Sequence, residues 1–211
     1  MKKWTDQWPL DDLILYQDES CIIVNKPPGV LSQSDGSGDL SLLDAVRTHL
    51  GEDFHLSNRI DRPVSGALLL SKKSHVQDLP FRKYYLAITT PSLERSDRLV
   101  HHLIRDGRHK KARIVEKGRG KEAILSYSVI QDLEKYTVLE VSPETGRFHQ
   151  IRAQLAAIGC PIRGDVKYGA RRSNKKRSID LHAYKIDIKD KSIVAPLFEA
   201  YSLWRFVDLP D

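Results

Sequence analysis

The chain has 211 residues, with 34 Lys and Arg against 28 Asp and Glu, and a formal net charge of +6. That length suffices for one domain with a real core, and just two cysteines, Cys21 and Cys160, exclude a disulfide framework and a cysteine zinc site; buried thiols in a reducing compartment are expected. The opening "MKKWTDQWPLDD" lacks the apolar core of a signal peptide and no later stretch has the roughly 18 consecutive apolar residues of a membrane span, so a cytoplasmic protein without a membrane partner is expected.

The positive charge is concentrated. Residues 105–121, "RDGRHKKARIVEKGRGK", hold eight basic residues against two acidic ones, and residues 163–177, "RGDVKYGARRSNKKR", hold seven against one; the rest of the chain is net negative. Clustered Lys and Arg displace counterions from phosphates, so two patches of this kind fit a polyanion binder, and two solvated basic loops are the competing reading.

In chain order, the apolar run "CIIV" (21–24) reads as a strand that stops at the turn "NKPPGV". "SLLDAVRTHLG" reads as a helix: Leu42, Leu43, Val46 and Leu50 recur at helical spacing, Ser41 is the cap, and Gly51 ends it. "GALLLSKK" is a short continuous apolar run, as in a strand covered on both faces, with Asp61 on the loop that feeds it. "KYYLAIT", "AILSYSVI", "YTVLEVS" and "LHAYKIDI" are further strands, rich in β-branched and aromatic residues.

"GRFHQIRAQLAAIGCP" reads as a second helix with Ile151, Leu155 and Ile158 as its apolar stripe. His149, Arg152 and Ala156 share another face and are expected to point away from the core. Together these elements predict a single α+β domain over residues 1–211, with a mixed, largely antiparallel sheet and few helices.

Asp61 sits in "NRIDRPVSG" between Arg59 and Arg62. Flanking guanidinium groups suit a carboxylate that acts as nucleophile or base, and a surface ion pair is the competing reading. No second acid stands near it for glycosidase chemistry, and neither a P-loop nor a dinucleotide fingerprint is present. His101 and His102 fall on opposite faces of a strand with no carboxylate or cysteine to complete a ligand set, so no metal is expected.

Five segments in one order resemble the RluA-type branch of the pseudouridine synthases: "IIVNKPPGV"; "NRIDRPVSGALLLSKKS", similar to H-R-L-D-R-x-[TS]-S-G; "KYYLAI", similar to K-x-Y-x-A; "TGRFHQIRAQLAAIGCPIRGDVKYG", similar to G-R-x-H-Q-I-R…G-x-P-I-x-G-D-x-x-Y-G; and "LHAYKI". The resemblance spans about residues 21–185. It implies a pseudouridine synthase-like fold and isomerisation of a uridine in rRNA or tRNA to its C-glycoside, with no cofactor or metal; a monomer is expected. Asp61 would be the nucleophile, attacking at the ribose C1′ or on the base. Arg152 would be the basic residue that pairs with it, and Tyr85 the ring stacked on the target uracil. Arg59 would fill the gap left by the flipped nucleotide, and Arg62, His149, Lys110, Lys111, Arg171 and Arg172 would hold the RNA.

Asn58 stands where histidine is commoner and Val64 where threonine or serine is usual, and the stretch between "SKKSH" and "FRKYY" is shorter than in the family. No S4-type RNA-binding domain is expected before residue 21. A non-catalytic RNA-binding protein on the same scaffold is the alternative, and a nuclease would need an acidic metal cluster that is not evident in the sequence.

Overall fold

The computed structural model describes residues 4–72, 80–91, 94–175, 178–198 and 203–210. In chain order the elements are α1 (Leu10–Leu13), β1 (Ile14–Gln17), β2 (Cys21–Lys26), α2 (Leu42–Leu50), β3 (Phe54–Leu56), β4 (Ser65–Lys72) and β5 (Phe81–Thr89). They continue with β6 (Ser96–Asp106), β7 (Lys111–Val115), β8 (Lys121–Asp132), β9 (Thr137–Pro143), α3 (Gln150–Ala157), β10 (Leu181–Ile188) and β11 (Lys191–Val194). This is the α+β architecture expected, and its sheet is mostly antiparallel. The shortened stretch noted before "FRKYY" falls largely on residues 73–79, outside the described residues.

The chain divides into two compact units, Met1–Lys83 with His182–Phe198, and Tyr84–Leu181 with Glu199–Asp211. In the first, β2 lies antiparallel between β1 and β4. The other edge of β4 pairs with β10, in parallel, at Ser65 and Gly66, and with β3 at its far end; β11 folds back on β10. Cys21, Ile23, Ala67 and Leu69 point to one face, where they meet Ile186, Ile188 and Ala195. Ile22, Val24, Leu68 and Leu70, on the alternate positions, are also fully buried, which explains why "CIIV" and "ALLL" show no polar alternation. The predicted helix is α2, with Ser41 Oγ accepting the Asp44 N–H and Gly51 closing it in the left-handed region.

Gly66 is required twice over. Its φ is +111°, and a Cβ there would lie 2.6 Å from the Ala183 backbone nitrogen, so only glycine lets β4 and β10 approach at this point.

In the second unit, β5, β9, β8, β6 and β7 follow one another in an antiparallel sheet. The basic stretch 105–121 is built differently from a loop: it spans the end of β6, a turn and β7, in register from Asp106↔Lys111 to His102↔Val115. Leu103 and Ala112 are buried on one side of this ribbon, while Val100 and Ile104 are exposed on the other. Helix α3 docks on the sheet through its glutamines, with Gln154 Nε2 donating to Leu99 O and Ala123 O and Gln150 Nε2 to Ile124 O. Every residue from Gln150 to Leu155 is buried, so α3 has no outward face in that stretch.

Candidate active site

Asp61 lies between β3 and β4, and the residues on either side of it are anchored. Ser32 Oγ donates to Ile60 O at 2.7 Å. On the other side Gly29 N–H donates to Arg62 O at 2.8 Å, and the Arg62 Nε returns a bond to Gly29 O at 2.9 Å. The Val64 N–H donates to Asp61 O at 3.0 Å and closes the turn. The "NKPPGV" segment and the serine that follows it therefore grip the backbone around Asp61, while the aspartate side chain is half-buried. Arg62 also directs Nη2 to Asp39 at 2.6 Å, and Arg59 is exposed.

Beneath this loop is Lys26, wholly buried at the end of β2. Its ammonium donates to Pro27 O at 3.0 Å, Val30 O at 2.7 Å and Arg62 O at 3.3 Å. Burial pulls its pKa down to about 7, with Asp61 drawing it up and Arg62 pressing it down. Sequence reasoning took "NKPPG" for a turn alone; the signal available was a lysine closing an otherwise apolar strand, a residue that is buried only when its charge finds partners.

A second missed pair lies where β4 meets β10. Ser65 Oγ is 2.8 Å from His182 Nδ1, and His182 Nε2 is 3.1 Å from Ala195 O. A carbonyl can only accept, so Nε2 carries the proton and Nδ1 accepts from the serine hydroxyl. Burial holds this imidazole down to about 4; the bond to Ala195 opposes that shift and the nearby Lys26 adds to it. Both unusual residues of the motif are buried as well: Asn58 Oδ1 accepts the Leu69 N–H at 2.7 Å, and Val64 packs inside.

In the second unit Tyr85 is on β5 opposite Val141, with only 6% of its surface exposed. Arg152 overturns one expectation: the face it shares with Ala156 does not point away from the core. Its side chain is 5% exposed, and Nε and Nη2 fork onto Asp165 at 2.6 and 2.8 Å. A helical wheel orients residues relative to one stripe, but it does not reveal that the chain after α3 returns over the other side, and a cation so covered needs a buried acid.

His149 precedes α3 with a φ of +51°. It stacks on Phe148 with centroids 3.8 Å apart, and its Nδ1 is 2.9 Å from the Tyr168 hydroxyl. Lys110 is exposed at the turn of the β6–β7 ribbon and Lys111 is half-buried at its base; Arg171 and Arg172 are exposed beyond the 3-10 turn Val166–Tyr168.

The structure thus brings Lys26, Asp61 and Arg62 together in the first unit, and His149, Arg152, Asp165 and Tyr168 together in the second. Among the described residues, no group of three acids, histidines or cysteines is placed to hold a metal ion. No helix among them is long and apolar enough to cross a membrane.

On a mostly antiparallel sheet the chain thus carries an anchored loop bearing an aspartate, and a buried arginine forked onto an acid. Residues 20–157, well over half of the chain, match the family described as RNA pseudouridylate synthase. The chain belongs to that family. It is 34% identical over 174 residues to ribosomal large subunit pseudouridine synthase C of Rickettsia typhi, covering 76% of this chain and 57% of that protein. It is 30% identical over 196 residues to ribosomal large subunit pseudouridine synthase D of Borreliella burgdorferi, covering 83% and 60%. The chain therefore spans about three-fifths of the length of these relatives.

Among solved structures, human RNA pseudouridylate synthase domain containing 4 superposes with a TM-score of 0.73 at 24% identity over 96% of each chain. Human RNA pseudouridylate synthase domain containing 1 gives 0.68 at 25% identity, covering 87% of this chain and 81% of that one. The resemblance read from the five motifs holds at the level of family and fold.

Proposed function

We propose that this protein isomerises a uridine in RNA to pseudouridine, with Asp61 as the nucleophile. The observation that carries the proposal is the anchored loop: in a chain of the RNA pseudouridylate synthase family, Ile60 and Arg62 are both tied to the segment Gly29–Ser32, so the carboxylate between them is presented on fixed backbone.

The chemistry balances without an outside reagent. The N1–C1′ bond of the uridine breaks, the uracil turns, a C5–C1′ bond forms, C5 gives up its proton and N1 gains one. Redox state and phosphate content do not change, so the reaction itself calls for neither cofactor nor metal. A carboxylate can attack an electron-poor C1′, by the logic of retaining glycosidases, or add to the base. A single acid suffices because the leaving base returns.

In this reading Tyr85 meets the target uracil, and Arg152 supplies the positive charge that its place in "HQIR" implies. Arg59 fills the gap left by the flipped nucleotide. Lys110, Lys111, Arg171 and Arg172 contact phosphate, and Arg62 and His149 complete the RNA contacts. The relatives' names make large-subunit rRNA the first substrate to test and tRNA the second, for a monomer acting in the cytoplasm.

The test is to incubate the purified protein with each RNA, digest to nucleosides and separate uridine from its isomer of unchanged mass. Pseudouridine at a defined position is the expected result. Persistent RNA binding with no isomer from any cellular RNA pool would favour the non-catalytic RNA-binding reading.

A further inference from the structure

A guanidinium buried to the extent of Arg152 is held by whatever neutralises and orients it, and here both tasks fall to one short turn. Asp165, 2% exposed, gives one oxygen to Nε and the other to Nη2. That fork fixes the plane of the guanidinium and takes up its Nε edge, so Arg152 meets any other group through Nη1 and the outer hydrogen of Nη2. Three residues on, the Tyr168 ring lies beneath the guanidinium carbon, 5.0 Å from it to the ring centre. Rotation of the guanidinium is thus opposed by the acid, and the ring lines one side of it.

The same turn also binds the basic ribbon. The Tyr168 hydroxyl accepts the Ala112 N–H of β7 at 2.7 Å, and Lys167 Nζ donates to Lys110 O at 3.1 Å. From Tyr168 the contacts run through His149 to Phe148, and Arg105 of β6 lies 4.6 Å from the Phe148 ring centre. One turn therefore touches the buried cation on one side and the ribbon that carries Lys110 and Lys111 on the other.

We infer that Asp165 and Tyr168 are positioning residues: Asp165 sets the orientation in which Arg152 acts, and Tyr168 keeps the β6–β7 ribbon in register with that arginine. The inference rests on the proposed role of Arg152 and the ribbon in uridine isomerisation, and it assigns the two residues different failures. Asp165→Asn keeps the size of the side chain and removes its charge, so saturated single-turnover isomerisation slows by about 10–100-fold, the size of loss typical when an orienting partner behind a functional ligand is removed. RNA affinity changes far less. Tyr168→Phe keeps the ring and loses the hydroxyl, so RNA binding weakens by about 2–10-fold, the value of one hydrogen bond, and more than saturated turnover does.

The experiment measures single-turnover rate and RNA dissociation constant for wild type, Asp165→Asn, Asp165→Glu and Tyr168→Phe, with circular dichroism confirming the fold. Asp165→Glu restores the charge and recovers part of the lost rate; should Asp165→Asn fail to fold, Asp165→Glu carries the test through a rate lower than that of wild type at equal affinity. The Arg152 Nε–H resonance, protected by the fork in wild type, exchanges faster in Asp165→Asn whatever the RNA does. Rate and affinity falling in parallel in both variants, as in a general loosening, would overturn the inference, as would folded Asp165 variants as fast as wild type. A wild-type protein that forms no pseudouridine would overturn the functional reading and this inference with it.

Discussion

In the first unit the backbone on both sides of the acid proposed to react is anchored: Ile60 and Arg62 are tied by hydrogen bonds to the Gly29–Ser32 segment, and Asp61 itself is half-buried. In the second unit the proposed cation is almost closed to water, its nitrogens forked onto Asp165. The difference follows from what each group is asked to do. A nucleophile must meet its substrate, so it keeps an exposed edge on an anchored backbone. A cation that serves by position can be buried, provided that an acid offsets the cost of desolvating it.

The largest stability effect expected bears on the first unit. His182 has an ordinary pKa of 6.5, and burial lowers it to about 4 in the folded protein. Between those values the unfolded state binds more protons, so stability is lost as pH falls through that window, by about 3 kcal/mol in all. Denaturant titrations from pH 7 to pH 4 of wild type and His182→Asn check it: the variant, less stable at pH 7 for want of its packing, shows a flatter decline. Equal slopes would mean that the junction of β4 with β10 does not depend on a neutral imidazole.

Ser32→Ala should cost less, about 1–2 kcal/mol, because it leaves the buried Ile60 carbonyl without its partner. If the backbone anchor matters for chemistry, isomerisation by the folded variant falls further than RNA affinity does. An unchanged rate would separate the grip on Ile60 from catalysis and break the contrast drawn between the two units.

The smallest effect belongs to the ribbon of the second unit. Reversing Lys110 and Lys111 to Glu should lower the slope of log affinity against log salt by about 0.7–0.9 per lost phosphate contact, read by RNA titration at several ionic strengths. A slope equal to that of wild type would show that the ribbon does not touch phosphate.

Much of this architecture can be read from local pattern. The caps of α2 are a serine and a glycine at the right spacing, β2 and β4 are unbroken apolar runs, and Asp61 stands in a motif specific enough to indicate its family. Strands β6 and β7 were harder to recognise because few of their residues are buried, Leu99 and Leu103 in β6 and Ala112 in β7, so the polar stretch "RDGRHKKARIV" suggests a basic loop. The partnerships were hidden for a different reason. Ser65 and His182 are 117 residues apart, and Arg152 meets an acid 13 residues later across a turn, so no local periodicity links them. Lys26 was missed because a polar residue at the end of an apolar run looks like the start of a turn, although its ammonium turns inward to three carbonyls.

The most direct test follows the hydrogen that leaves C5. RNA carrying tritium at the C5 position of uridine is incubated with wild-type protein and with Asp61→Asn, and label released to water is counted over time. Wild type should release one tritium per pseudouridine formed, and Asp61→Asn, folded and still bound to RNA, should release none above background. Release by the variant at the wild-type rate would contradict the assignment of Asp61 as nucleophile.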